Sequence, residues 1–83
     1  MLKVSVISPE TVLYEGTTES VVAPAYDGEV GILTGHAPMI ALLGKGVLRL
    51  GGRSGGHRFN VDGGFLQVVD NTVRVVTEMA SPA

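Results

Sequence analysis

The chain has 83 residues, enough for one domain. A domain of this size buries only roughly 60% of its unfolded surface, which leaves little stability for a deep catalytic cavity. It has no cysteine, which excludes disulfides, thiolate metal sites and a cysteine nucleophile and fits a reducing compartment. Six Lys and Arg stand against eight Asp and Glu, a net charge of −2, so there is no electrostatic case for nucleic acid.

From the N-terminus the pattern has period two. In "LKVSVI" Leu2, Val4 and Val6 face one way, with Lys3 and Ser5 opposite. The stretch is too short and mixed for a signal peptide. No apolar run approaches the ~20 residues that cross a bilayer, so any membrane association is expected to come through a partner. Ser8-Pro9-Glu10 and Glu15-Gly16 punctuate the next segment, and Pro24 to Gly28 the one after. Asp27-Gly28 favours a tight turn with positive φ, with Glu29 pointing outward from it. Gly31-Ile32-Leu33 then reads as a strand returning to the core.

"HAPMIALLGKG" is ambiguous, because Gly44 could cap a short helical turn. "GVLRL", "RFNVD", "GFLQVV" and "TVRVV" alternate again, with β-branched residues filling the half-buried positions. Between them lie "GGRSGGH", expected as a flexible hairpin tip, then Asp62-Gly63-Gly64 and Asp70-Asn71 as turns. "TEMASPA" reads as a fraying tail. Short strands with turns about every eight residues predict an all-β fold, a sandwich or barrel of eight to ten strands. One domain spans 1–78, with a tail at 79–83. The acids Glu10, Glu15, Glu19, Asp27 and Glu29 precede the cations Lys45, Arg49, Arg53 and Arg58. That order suggests a surface with one acidic and one basic end.

Little of this is catalytic. His36 is the natural suspect, because imidazole titrates near neutrality. A metal would need more converging ligands, and the only other histidine is His57, in the glycine-rich segment. A His that holds a turn by bonding backbone accounts for Gly35-His36-Ala37-Pro38 equally well. The glycines of "GGRSGGH" do not end in Lys-Ser/Thr before a helix, as a phosphate-cradling loop requires. Residues Asp27 to Glu29 read as a shaped end loop with a solvated acid, and spacing alone gives it no target.

Two stretches, "VVAPAYDGEVGILTGHAPMIALLGKGVLRL" and "FNVDGGFLQVVDNTVRVVTE", resemble the N-terminal domain of the epsilon subunit of the F-type ATP synthase. "SPETVLYEG" precedes them in the family's order, so the likeness covers residues 2–78. The resemblance implies an all-β fold, a two-sheet β-sandwich of about ten short strands, in the central stalk, part of the whole F1Fo complex. It implies a non-catalytic rotor subunit that binds the gamma subunit, stands on the c-subunit ring and helps couple proton flow to ATP synthesis. The expected location is peripheral, at the cytoplasmic face of the cell membrane. It further implies a c-ring contact at Asp27, Gly28 and Glu29, and a gamma contact at Ser8, His36, Pro38 and Met39. No catalytic residue, cofactor or metal is implied. Family members usually continue into a C-terminal helical hairpin; this sequence ends at Ala83, so the hairpin's inhibition and nucleotide binding are not carried over. The rival reading is a free-standing β-sandwich module for a small ligand or sugar. It is served by only four aromatics, Tyr14, Tyr26, Phe59 and Phe65.

Overall fold

Alternating apolar and polar residues can bury one face of a strand, and two such faces closed on each other make a core. In the computed structural model, which describes residues 1–52 and 55–83, the chain does this with ten strands. They are β1 (Leu2–Ile7), β2 (Val12–Thr18), β3 (Ser20–Ala25), β4 (Gly28–Leu33), β5 (Met39–Leu42), β6 (Lys45–Gly52), β7 (Gly55–Asp62), β8 (Phe65–Val69), β9 (Thr72–Val76) and β10 (Met79–Pro82). The first sheet has the order β2-β1-β9-β8-β5, the second β10-β7-β6-β3-β4. Among the described pairings only β1 with β9 is parallel. That pair joins the two extremes of the chain, Lys3 against Thr72 through Ile7 against Val76.

The core is the set of inward positions. Leu2, Val4, Val6, Leu66, Val68, Val73 and Val75 come from the first sheet. Val21, Ala23, Ile32, Leu48, Leu50, Phe59 and Val61 come from the second. Each fully buried Val, Leu or Ile contributes about 1.5–3 kcal/mol. Tyr14 closes one mouth of the sandwich: its ring on β2 lies 4.7 Å from the His57 ring and 6.3 Å from Phe59, both on β7.

The connections sort to two ends. At one end lie the turns at Ser8–Thr11, Tyr26–Asp27, Leu43–Gly44, Gly63–Gly64 and Thr77–Glu78. They are tied by Leu43 N–H donating to Gly64 O (2.9 Å), Gly44 N–H to Pro24 O (2.8 Å) and Thr77 N–H to Ile7 O (2.9 Å). At the other end lie Glu19, Thr34–Pro38 and the Asp70–Asn71 turn, where Gly35 N–H donates to Asn71 Oδ1 at 2.6 Å. Asp70 and Asn71 both have positive φ, 49° and 58°, as a two-residue type I′ hairpin turn demands.

Three sequence expectations change and one is narrowed. The "HAPMIALL" run contains strand β5 and no helical turn, because Met39 and Ala41 pair with Val68 and Leu66 and turn inward. "TEMASPA" is no fraying tail: β10 pairs with β7 from Met79↔Asp62 to Pro82↔Phe59. Buried Thr77 turns the chain into it, its Oγ1 lying 3.0 Å from Gly63 O and 2.9 Å from Met79 O, with one proton to donate to either. In "GGRSGGH" the strands pair as far as Gly52↔Gly55, and His57 sits within β7. The tip itself, Arg53 and Ser54, lies outside the described residues. Finally, charges segregated along the chain do not stay apart in space. β4 and β6 flank β3, so Glu29 meets Arg49 at 3.2 Å.

Candidate functional site

The outer face of the first sheet departs from what a solvated sheet face should be. Its ladder pairings place Val12 against Ile7, Ile7 against Val76, Val76 against Phe65 and Phe65 against Leu42. Five apolar side chains thus stand in register across all five strands. Leu42 is 66% exposed and Val12 52%. The next outward row is Glu15, Ser5, Arg74, Gln67 and Ile40, and the third is Thr17, Lys3, Thr72 and Val69. Ile40 and Val69 are exposed too, which extends the apolar surface along the β5–β8 edge. A contiguous apolar patch rimmed by polar groups on a small domain marks an interaction surface. The outer face of the second sheet carries Arg49, Arg58, Asn60 and Glu29 and is exposed at all four.

The sequence-derived contact residues distribute around these surfaces. Ser8 follows β1 at the Ile7 end; its N–H donates to Thr11 O at 2.8 Å and its hydroxyl reaches the same oxygen at 3.3 Å. His36 lies at the opposite end of the sandwich, beside the Asp70–Asn71 turn. Its Nδ1 is 2.7 Å from Ala37 O; a carbonyl only accepts, so Nδ1 carries the proton and donates. Its backbone N–H donates to Leu33 O at 3.1 Å. These bonds match a histidine that holds a turn. Pro38 is exposed, whereas Met39 is half-buried and packs against the core. Ser8 and His36 are therefore not brought together; they stand at the two ends of one face.

Asp27 is at the apex of the β3–β4 hairpin, with Gly28 following at φ 138°. Glu29 is already inside β4, paired with Pro24. It projects sideways over the second sheet toward Arg49, where the sequence reading had it pointing outward from the turn. Tyr26, 82% exposed, precedes Asp27, and its N–H donates to Leu42 O at 2.9 Å. The hairpin apex and the apolar row thus share one corner of the molecule. Among the described residues no group of three or more His, Asp or Glu side chains is placed to hold a metal.

The residues that sequence reasoning missed are Ile40, Leu42 and Phe65. The signal was present: Pro38–Leu43 holds more apolar residues than one strand face needs. The parity of β5 decides which of them point out, and it was hidden by the helix-or-strand ambiguity.

Two sheets, one apolar row running across the full width of the first sheet's outer face, and a hairpin with Asp27 at its apex near one corner describe a β-sandwich with an exposed apolar band. The chain belongs to the ATP synthase delta/epsilon-chain β-sandwich family, whose sequence profile matches residues 1–83. It is 48% identical over 77 residues to the ATP synthase epsilon chain of Leptospira borgpetersenii serovar Hardjo-bovis (strain JB197), covering 93% of this chain and 61% of that one. It is 48% identical over 77 residues to the ATP synthase epsilon chain of Rhodopirellula baltica, covering 93% and 60%. This sequence thus spans about three fifths of the length of these relatives. Among solved structures it resembles a chain of the Euglena gracilis mitochondrial ATP synthase, OSCP/F1/c-ring. There the TM-score is 0.87 and the identity 23%, covering 98% of this chain and 52% of that one. A chain of the Tetrahymena thermophila mitochondrial ATP synthase central stalk and c-ring gives a TM-score of 0.78 at 17% identity, covering 96% and 65%. At these identities the structural likeness speaks for the fold.

Proposed function

We propose that this chain is the β-sandwich part of a non-catalytic central-stalk subunit of an F-type ATP synthase. The gamma subunit covers the outer face of the first sheet, and the Tyr26–Gly28 corner stands on the polar loops of the c ring. Torque passes between them through the sandwich, whose two cross-tied sheets make it a rigid spacer. The subunit sits peripherally at the cytoplasmic face of the cell membrane, held there by the complex.

The observation that carries this reading is the apolar row Val12–Ile7–Val76–Phe65–Leu42, a surface suited to burial against a partner. Family membership supplies the partner. The relatives are ATP synthase epsilon chains, and the similar solved chains come from assemblies that contain a c ring. Ser8, at one end of the face, and His36 with Pro38, at the other, border a partner that runs its length. Met39 contributes from the β5 edge. Asp27, Gly28 and Glu29 form the c-ring side, Asp27 from the apex and Glu29 from the flank.

The test is capture from detergent-solubilised membranes of the source cell with the tagged subunit that carries this domain. Recovery of gamma and the c ring together supports the proposal. Recovery of neither, under conditions that hold the remaining complex intact, overturns it.

A further inference from the structure

Arg74 lies on β9, the middle strand of the first sheet, in the outward row next to the apolar one. Its direct cross-strand neighbours are Ser5 and Gln67, both neutral. Lys3, one ladder step away on β1, has the same sign. Glu15, the acid on this face, stands two strands off beyond Ser5, roughly 9–10 Å at the usual strand spacing. Among the described residues the ion pair within hydrogen-bonding range is Glu29 with Arg49, on the other sheet. Arg74 is exposed, and among the described residues no carboxylate lies within 4 Å of its guanidinium.

The relief around it matters as much as the charge. Arg74 lines a shallow groove with Gln67, Val69 and Thr72. A second open groove, lined by Lys3, Ser5, Ile7, Thr17 and, at its far side on β2, Glu15, also reaches Thr72. The two meet there and form a track that crosses the strands. On one side of the track runs the apolar row through Val76, Phe65 and Leu42. A partner segment seated on that row and lying in the track removes water from Arg74. A guanidinium cannot shed its charge at any relevant pH. Buried without a counter-charge it would oppose the association strongly. A carboxylate accepts two parallel hydrogen bonds from the guanidinium fork and satisfies it.

Resting on the docking reading above, we infer that the surface covering this face runs across the strands and places an aspartate or glutamate against Arg74. The apolar row supplies contact area, and Arg74 selects the register and the partner. Among the described residues no side chain or carbonyl pairs with the guanidinium, so substitutions there are expected to leave the core as it is.

The experiment measures the affinity of the intact subunit for the purified gamma subunit of the same complex, with folding checked by thermal unfolding. Arg74→Glu is expected to weaken binding by about a hundredfold, the scale of breaking a desolvated charge pair. Arg74→Gln should fall between it and wild type. Arg74→Lys should retain part of the affinity, because it keeps the charge and loses the fork. Exchanging one gamma carboxylate for arginine should restore binding to Arg74→Glu. Leu42→Asp separates the two layers of the argument. If Leu42→Asp abolishes binding while all three Arg74 variants bind as wild type, the face docks gamma and the carboxylate inference is overturned. If Leu42→Asp and Arg74→Glu both bind as wild type, the docking face itself is wrong. If Arg74→Glu does not fold, wild-type affinity in Arg74→Gln overturns the inference.

Discussion

The Glu29 carboxylate reaches across β3 to Arg49, with Oε2 3.2 Å and Oε1 3.4 Å from the same guanidinium nitrogen. Arg58 stands directly opposite Arg49 on the far side. The acid thus pairs with the nearer of two arginines that face each other across β6 and β7. Like charges directly opposite on a sheet repel, so the three residues form one electrostatic unit on the outer face of the second sheet.

Glu29→Gln should therefore destabilise the domain more than Arg49→Gln. The first leaves two arginines facing each other, and the second removes the repulsion along with the attraction. The side chains of Arg49 and Glu29 are 51% and 62% exposed, so solvent screens the pair and its coupling is about 0.2–1 kcal/mol. A double-mutant cycle by urea denaturation at low and high salt measures it. A larger loss for Arg49→Gln, or a coupling indifferent to salt, would show that Arg58 is not felt.

Neighbouring residues of β5 should separate stability from binding. Met39 is half-buried against the core, so Met39→Asp brings a charge toward the interior and should cost at least about 2 kcal/mol of stability. Leu42 points out and is 66% exposed. Leu42→Asp should stay within about 0.5 kcal/mol of wild type yet weaken gamma binding more than about tenfold, as loss of an interface anchor does. Thermal unfolding and a binding isotherm on each variant decide. If Met39→Asp is stable and Leu42→Asp is not, the facing of β5 has been read the wrong way round.

The sandwich was legible because its cause is local. Leu2, Val4 and Val6 alternate with polar residues, and so do Val73 and Val75, and each alternation fixes which side chains go inward. Turn chemistry was legible for the same reason at Asp70-Asn71. What the sequence hid is non-local. The pairing of β1 with β9 brings Ile7 beside Val76, although 69 positions separate them along the chain. Only that register turns scattered outward apolar residues into a continuous row. Glu29 looked like a turn apex because Asp-Gly precedes it. The hairpin closes one step earlier, on Tyr26-Asp27, which moves Glu29 into the strand beside Arg49. The last strand was missed because Ser81 and Pro82 look like tail. Pro82 is tolerated there because β10 is an edge strand of its sheet.

The same shift divides the proposed ring contact between apex and flank. Asp27 is at the apex and exposed, whereas Glu29 already has an intramolecular partner. Glu29→Gln should lower coupling modestly, and Glu29→Lys more, partly by adding a third cation beside Arg49 and Arg58. Asp27→Lys should lower it at least as much as Glu29→Lys, without touching that cluster. Proton pumping driven by ATP hydrolysis in reconstituted vesicles provides the readout. Intact pumping in Asp27→Lys alongside impaired pumping in Glu29→Lys would move the contact from the apex to the flank of the second sheet.

The turn between β7 and β8 should be among the least substitutable points of the scaffold, because it combines positive φ with close backbone contact. Gly64 has φ 105°, and a Cβ there would lie 2.0 Å from Val76 O and 2.7 Å from Thr77 Cα. These are backbone atoms, so no rotamer change relieves the contact. They are also anchored: Thr77 N–H is bonded to Ile7 O, and Thr77 Oγ1 lies 3.0 Å from Gly63 O. Gly64→Ala must push β8 away from β9 and disturb the Leu43 N–H bond to Gly64 O. It should cost more than about 3 kcal/mol, in the range reserved for backbone strain combined with lost packing. Gly28 is the control for strain alone. Its φ of 138° is equally unsuited to a side chain, but nothing lies within 4 Å of its Cβ position, so Gly28→Ala should cost about 1–2 kcal/mol. Gly31 is the control for neither, with open space and no positive φ, and Gly31→Ala should stay within about 0.5 kcal/mol. Urea denaturation midpoints, compared at a common slope, rank the three. A Gly64→Ala variant as mild as Gly28→Ala would mean that the close approach of β9 can relax, and that the corner beneath the proposed ring contact is softer than its bonding implies.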